Sequence, residues 1–392
     1  KSDLLSSAIP MALDVGLNMQ EVKDLIGQAG VDYSLNLEEL YDVDWKKQID
    51  NLGVVASDLV DLFDSVNDKI EEAKNGVDLA MVVLNSDDTL VSDVFTDLSN
   101  VDVLMDLIPI GVDYALNKDE VKQFVPEDFA FDYGDQAPRD WWKNEVANLG
   151  NMINGMKSLE ITEIPTKDVD GNQTVDIPAL LGLITNDDDK LDGFVSSITS
   201  SRLVTTMLPI GFDYGMNELD KNNSGESYKE LFNYTNMTAD EWKSDFKDLL
   251  YIANDLYESK VLELKNETKF VDLNYESLNR LTTKALTLKL IEGNQDKVFT
   301  RLVSFIPADS MPVDLANLDF SEVSDWKSEG SALVYTIKEA APIIDSMNSG
   351  EELTLQTLDT KALDGAIDKA TDSKIAVQLI PSIVQGVFDS VD

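Results

Sequence analysis

The chain has 392 residues, 43% of them hydrophobic and 8% aromatic, and it carries 74 acidic against 31 basic side chains for a formal net charge of −43. That much apolar content suffices for packed cores, while the charge repels phosphate backbones and anionic bilayer surfaces and so sets aside nucleic acid and lipid headgroups as partners. Neither histidine nor cysteine occurs, which removes disulfides, thiolate and imidazole metal sites, and the Ser-His-Asp and Cys-His pairings of nucleophilic catalysis.

One apolar segment recurs along the chain. It opens as Ala8-Ile9-Pro10, is fullest from Asp102 to Ala115 as D-V-L-M-D-L-I-P-I-G-V-D-Y-A, and returns at Leu208–Gly215, Phe305-Ile306-Pro307 and Leu379-Ile380-Pro381. The prolines at 10, 109, 209, 307 and 381 are spaced by 99, 100, 98 and 74 residues. This period predicts tandem units at 1–100, 101–200 and 201–299, a shortened unit at 300–373, and the start of a further one at 374–392. The chain opens at Lys1 already inside a copy, so a segment of a longer array is expected. No apolar run reaches the roughly 18 residues of a membrane span, so no membrane insertion is expected within it.

Each unit starts with an apolar helix bearing the proline, with Val103, Leu104, Leu107, Ile108, Val112, Ala115 and Leu116 at three- and four-residue steps. Proline lacks a backbone N–H and clashes one turn back, which predicts a kink or a break at Pro109. A variable loop follows (18–41, 117–138 and 217–238), and then a tryptophan, at 45, 142, 242 and 326, opens a second helix. Its apolar stripe reads Trp45, Ile49, Leu52, Ala56 and Leu59 in the first copy and Trp142, Val146, Leu149, Ile153 and Met156 in the second. This periodicity makes each tryptophan a core anchor. Thr238 and Glu241 have the spacing of a capping box.

The alternating run from Glu160 to Pro178 about Asp170-Gly171 predicts a β-hairpin, and Val261 to Leu273 reads as a second. Two short helices then close each unit around an acidic corner, such as Asn186-Asp187-Asp188-Asp189 or Asn294-Gln295-Asp296, and the last runs straight into the next proline helix. With no flexible linker between units, neighbouring units share a core. The fold class expected is mainly α: tandem helical repeats of about 100 residues with small β-hairpin insertions, forming an elongated rod or solenoid.

Aligning Gly171 with the glycine of an EF-hand loop places Asp168 and Asp170 at the third and fifth ligand positions, but Thr166 and Ile177 stand where the first and twelfth carboxylates belong. Asp168, Asp170 and Asn172, with Asp187 and Asp188 of the corner, are therefore calcium candidates whose simpler roles are turn residues and helix caps. No other cofactor is expected. Carboxylate pairs of the glycosidase type are the remaining catalytic option, and among 74 acidic residues none is singled out, so an enzyme is not expected.

The function expected is structural: a stalk, fibre or surface-layer component, extracellular or at a cell surface, whose partner is itself or neighbouring repeats. The alternative is an adhesin or scaffold that binds a surface protein or glycan through its variable loops. Those loops carry Tyr33, Tyr41, Phe129, Phe131, Tyr133, Tyr228, Phe232 and Tyr234. The competing role for these aromatics is to fold back over the helix pair.

Overall fold

The computed structural model describes residues 44–70, 81–82, 85–86, 89–116, 118–122, 133–169, 172–221, 227–235, 237–264, 269–304, 318–349 and 358–378, with a few single positions besides. The proline segments around Pro10 and Pro307 lie outside them. The described chain is mainly helical. In order it forms α1 (Trp45–Ile70), α2 (Leu90–Ser99), α3 (Asp102–Leu116), the single turn α4 (Asp119–Lys122), α5 (Pro138–Ser158), a two-stranded sheet of β1 (Thr166–Val169) and β2 (Asn172–Val175), α6 (Ile177–Thr185), α7 (Asp188–Thr199), α8 (Arg202–Lys221), α9 (Ala239–Glu258), α10 (Tyr275–Ala285), α11 (Gln295–Ser304), α12 (Trp326–Asn348) and α13 (Thr360–Ala370).

Helix starts follow the local chemistry. Thr238 and Glu241 make the capping box in full, the Glu241 N–H donating to Thr238 Oγ1 and the Thr238 N–H to Glu241 Oε2. Asp187, Asn274, Asp325 and Asp359 accept first-turn N–H groups of α7, α10, α12 and α13. Pro138 begins α5, where its missing N–H costs no hydrogen bond. The hairpin forms, with Thr166 opposite Val175 and Val169 opposite Asn172, while Asp170 and Gly171 lie outside the described residues.

The chain divides into two compact units, the first made of residues 1–164 and 187–215, the second of 165–186 and 216–392. In the first, α5 packs against α2, α3 and α7, and α1 packs against α2. Its core is Met105, Trp141, Trp142 and Val146, with Phe95, Leu104, Ile108 and Val112 against them. In the second, α10 lies between α9 and α12, α13 packs on α12, and α6 packs on α9. Phe270, Leu273, Tyr275, Val334 and Ala341 form one core there, and Ile343 with Ala362 another.

Four expectations are corrected. Of the two outcomes foreseen at the proline, the break does not occur: α3 and α8 run unbroken through Pro109 and Pro209. In α3, Leu104 and Ile108 before the proline and Val112 just after it all pack on the core of Met105, Trp141, Trp142 and Val146. Second, the closing helices do not merge with the proline helices. Two residues, Asn100-Val101 and Ser200-Ser201, separate α2 from α3 and α7 from α8.

Third, the described residues of Val261 to Leu273 form no strands; they make the 3-10 turns Val261–Glu263 and Phe270–Asp272. The Phe270 and Val271 N–H groups, which a strand ladder would use, donate instead to the Asp345 carboxylate at 2.8 and 3.0 Å. In that same stretch α10 lies between the two tryptophan helices α9 and α12. Fourth, the stripe predicted on α1 is buried only at its start. Trp45 is buried, while Leu52, Ala56 and Leu59 are exposed and the buried positions further along are Val55 and Val66.

Candidate functional site

Three residues after each tryptophan stands a polar side chain that the spacing analysis passed over: Gln48, Glu145, Asp245 and Glu329. One helical turn puts each on the flank of the tryptophan stripe, and all four are buried, at 1, 2, 2 and 7% exposure. A carboxylate so placed loses its hydration and persists only if its oxygens are saturated with donors. They are. Glu145 on α5 accepts the Ser201 hydroxyl (2.7 Å) and the Leu203 N–H (3.0 Å) on Oε2, and the Arg202 N–H (3.1 Å) on Oε1.

Glu329 on α12 repeats this arrangement. Its Oε2 accepts the Ser373 hydroxyl (2.6 Å) and the Ile375 N–H (3.3 Å), and its Oε1 the Lys374 N–H (3.1 Å). Asp245 on α9 accepts the Lys289 and Leu290 N–H groups at 3.0 and 2.7 Å. Burial pushes the Asp245 carboxyl above the usual carboxylate range, and those two N–H groups pull against it. In each case the free amides of a turn or helix start are tied to a side chain 44 to 58 positions earlier, and the anion sits where a helix N-terminus favours it.

The first copy inverts the chemistry. Gln48 Nε2 donates to Asp102 Oδ2 at 2.9 Å, and Asp102 is the first residue of α3. Where the tryptophan helix supplies an acid, one of the residues whose backbone N–H it accepts is basic (Arg202, Lys289, Lys374), with the basic side chain itself bonded elsewhere, to Gln136, Glu292 and the Glu322 carbonyl. Where the reached residue is acidic, the tryptophan helix supplies an amide. The charge rule is the same at all four: no joint buries two like charges together.

Around these joints the helices approach closely. A methyl group at Gly155 of α5 would overlap Ser197 of α7, at 1.9 Å from Oγ, and one at Gly150 would meet the Ser92 backbone of α2 at 3.1 Å. At Gly330 of α12 it would meet Leu286 and Thr282 at 2.7 and 3.0 Å. Between α9 and α10 the Arg280 guanidinium holds the fully buried Asp255 in a forked pair, and that hydrogen bonding raises the Arg280 pKa.

The sequence-predicted residues fall as follows. Asp187 caps α7 by accepting the Asp189 and Lys190 N–H groups, Asp188 is exposed in its first turn, and Asp168 is exposed on β1 opposite Gln173. Asn172 contributes backbone to β2; its side chain and Asp170 lie outside the described residues. Among the described residues no three acidic side chains converge as a metal site would require. Phe131 packs on Trp141 and Trp142 with centroids 5.6 Å away, Phe129 on Phe131 at 5.1 Å, and Tyr133 on Trp141 at 5.4 Å, so the second loop brings its aromatics to the tryptophan pair. Tyr234 is buried and Phe232 half-buried. Tyr33, Tyr41 and the Tyr228 side chain lie outside the described residues.

Comparison with protein-family models, with curated proteins and with solved structures finds no match. The joints are the most developed chemistry of the described chain: Glu145, Asp245 and Glu329 hold backbone, each carboxylate oxygen receiving a donor, whereas Gln48 ties one side chain to another and leaves its Oε1 buried without a partner among the described residues.

Proposed function

We propose that the chain is a structural repeat protein, a stalk, fibre or surface-layer component of an extracellular or cell-surface assembly, with no catalysis of its own. Its tandem units of about 100 residues stack into an elongated rod and set distance or cover a surface. The observation that carries this reading is the joint, made by a buried side chain three residues after each tryptophan and bonded to a segment 44 to 58 positions later. A device repeated with its charge logic intact serves to keep successive elements in fixed register, which is the need of an array and not of a cleft. Further support comes from the loop aromatics seated on the tryptophan pair and from an acidic, cysteine-free composition suited to solubility at high local concentration.

Small-angle X-ray scattering tests it. A compact globule of this length has a radius of gyration of about 21 Å. Helices stacked at about 10 Å per layer give a particle about 80 Å long or more and a radius of about 26 Å or more. The larger value is expected, and a value near the smaller would overturn the array. Replacing the 117–138 loop by the 217–238 loop addresses the binding alternative, since a spacer keeps its length and its assembly after the exchange.

A further inference from the structure

The tryptophan helices α5 and α9 end in the same register and in the same way. Ser158 and Glu258, their last residues, each stand sixteen positions after the tryptophan. Two residues further on, Glu160 and Lys260 hold left-handed backbone, with φ of 54° and 61°, and among the described residues they are the non-glycine positions that do so. Their N–H groups donate back to the Lys157 and Tyr257 carbonyls at 2.9 and 3.1 Å. A long charged side chain gains nothing from this conformation, which favours glycine. What the turn achieves is a change of direction, and the structure beyond it has to hold it there.

The two insertions that follow differ in local structure. After Glu160 comes the β1–β2 hairpin with α6; after Lys260 come the 3-10 turns Val261–Glu263 and Phe270–Asp272. Both go to the next tryptophan helix. Residues 165–186 belong to the second compact unit although α5 and α7, on either side of them in the chain, belong to the first. There α6 packs on α9, with the Cβ site of Gly182 at 3.8 Å from Oδ1 of the buried Asn254. The second insertion is rooted on its own helix, since Val261–Glu263 packs on α9 and the Asn274 N–H donates to the Ser259 carbonyl at 3.2 Å. Its tip lies on α12. Phe270 and Leu273 share a core with Val334 and Ala341, Ile337 and Ile344 pack against it, and the Asp345 carboxylate takes the Phe270 and Val271 N–H groups.

We propose that these insertions are forward clasps: each completes the tryptophan helix of the next repeat instead of its own, so that a repeat depends on its predecessor and the array has a direction. This deepens the structural reading above and rests on it. A hairpin with a helix and a pair of 3-10 turns have little in common except where they dock. In a linear array, stability is the sum of what each repeat holds by itself and what neighbours lend each other. The clasps put part of each repeat's core into the chain of the repeat before it, so neighbours open together.

Hydrogen exchange of the full chain, read by mass spectrometry of its peptides, tests the direction. Leucine at Gly182 runs into Asn254, and Gly182→Leu is expected to speed exchange in α9 about tenfold while α5 and α7 keep their rates. Gly182→Ala has the opposite sign, because its methyl makes an ordinary contact at 3.8 Å and favours the helix; α9 should exchange about two- to fivefold more slowly. In the second clasp, Phe270→Ala is expected to speed exchange over Val334–Ile344 of α12 by about tenfold or more, with α9 unmoved near Trp242. Phe270→Leu, which keeps the fold more surely, should give the same pattern with a smaller change. Rates that change in α5 and α7 but not in α9, or equally in α9 and α12 for the Phe270 variants, or nowhere, overturn the clasp. Any of these in a particle with extended scattering would overturn this inference alone, whereas a compact particle would overturn the array reading beneath it.

Discussion

Glu145 binds one hydroxyl and two backbone amides with two oxygens, and this stoichiometry makes it intolerant of its nearest substitute. Glutamine keeps the size but turns an NH2 group toward an N–H donor, so one buried amide loses its acceptor and another bond loses its charge assistance. Unmet buried donors cost about 1–3 kcal/mol each, and Glu145→Gln is expected to lower stability by about 2–3 kcal/mol in urea unfolding, with Glu329→Gln behaving alike. The inverted joint supplies the complementary experiment. Gln48→Glu places a carboxylate against Asp102 and destabilises, Asp102→Lys alone strands a cation beside an amide donor, and the double variant reconstitutes the acid-with-base form of the other joints. The double-mutant cycle should show coupling of about 1 kcal/mol or more; strictly additive effects would mean that the charge rule across the joints is coincidental.

At the scale of the element, the glycines separate what a helix prefers from what its neighbours allow. Alanine in place of a helical glycine is worth about 0.5–1 kcal/mol from propensity alone. Gly53 has open space, so Gly53→Ala should raise the thermal midpoint. At Gly155 and Gly330 the new methyl runs into Ser197 or Leu286, and overpacking of about 1–3 kcal/mol outweighs the gain, so the midpoint should fall. The same elements show what could be read in advance. The tryptophan helices, the Asp170-Gly171 hairpin and the Thr238 capping box were legible because local spacing determines them. The 3-10 turn at Phe270–Asp272 was not, because the competitor for its amides is Asp345, more than seventy residues away. Nor did the stripe on α1 reveal which flank would be covered, since periodicity marks an apolar face without saying which neighbour arrives. The joints left a trace that spacing analysis overlooked, namely the exchange of Gln48 for an acid in step with the exchange of Asp102 for a base.

For the whole molecule the dominant quantity is a net charge of −43, carried by helices packed close enough that like charges meet across their contacts. Asp58 of α1 shows the consequence. Its burial, then its hydrogen bond to Asp97 and the charges of Asp97, Asp93 and Asp61, raise its pKa above the usual carboxylate value. A carboxyl that holds its proton more tightly when folded contributes stability that is complete below the ordinary carboxylate range and is lost as pH rises through the raised value. Mild acid and added salt should therefore act in the same direction, the first by removing charge and the second by screening it over about 10 Å at 0.1 M. Thermal unfolding is expected to shift upward from pH 7 toward pH 5 and, at pH 7, with NaCl up to about 0.5 M, and Asp58→Asn should raise the midpoint at pH 7 and flatten part of the pH dependence. Calcium chloride at matched ionic strength separates screening from coordination. Equal midpoints assign the whole effect to the charge of the molecule, whereas an additional rise at millimolar calcium would mean that acidic corners such as Asp187-Asp188 bind the ion as well as cap their helices.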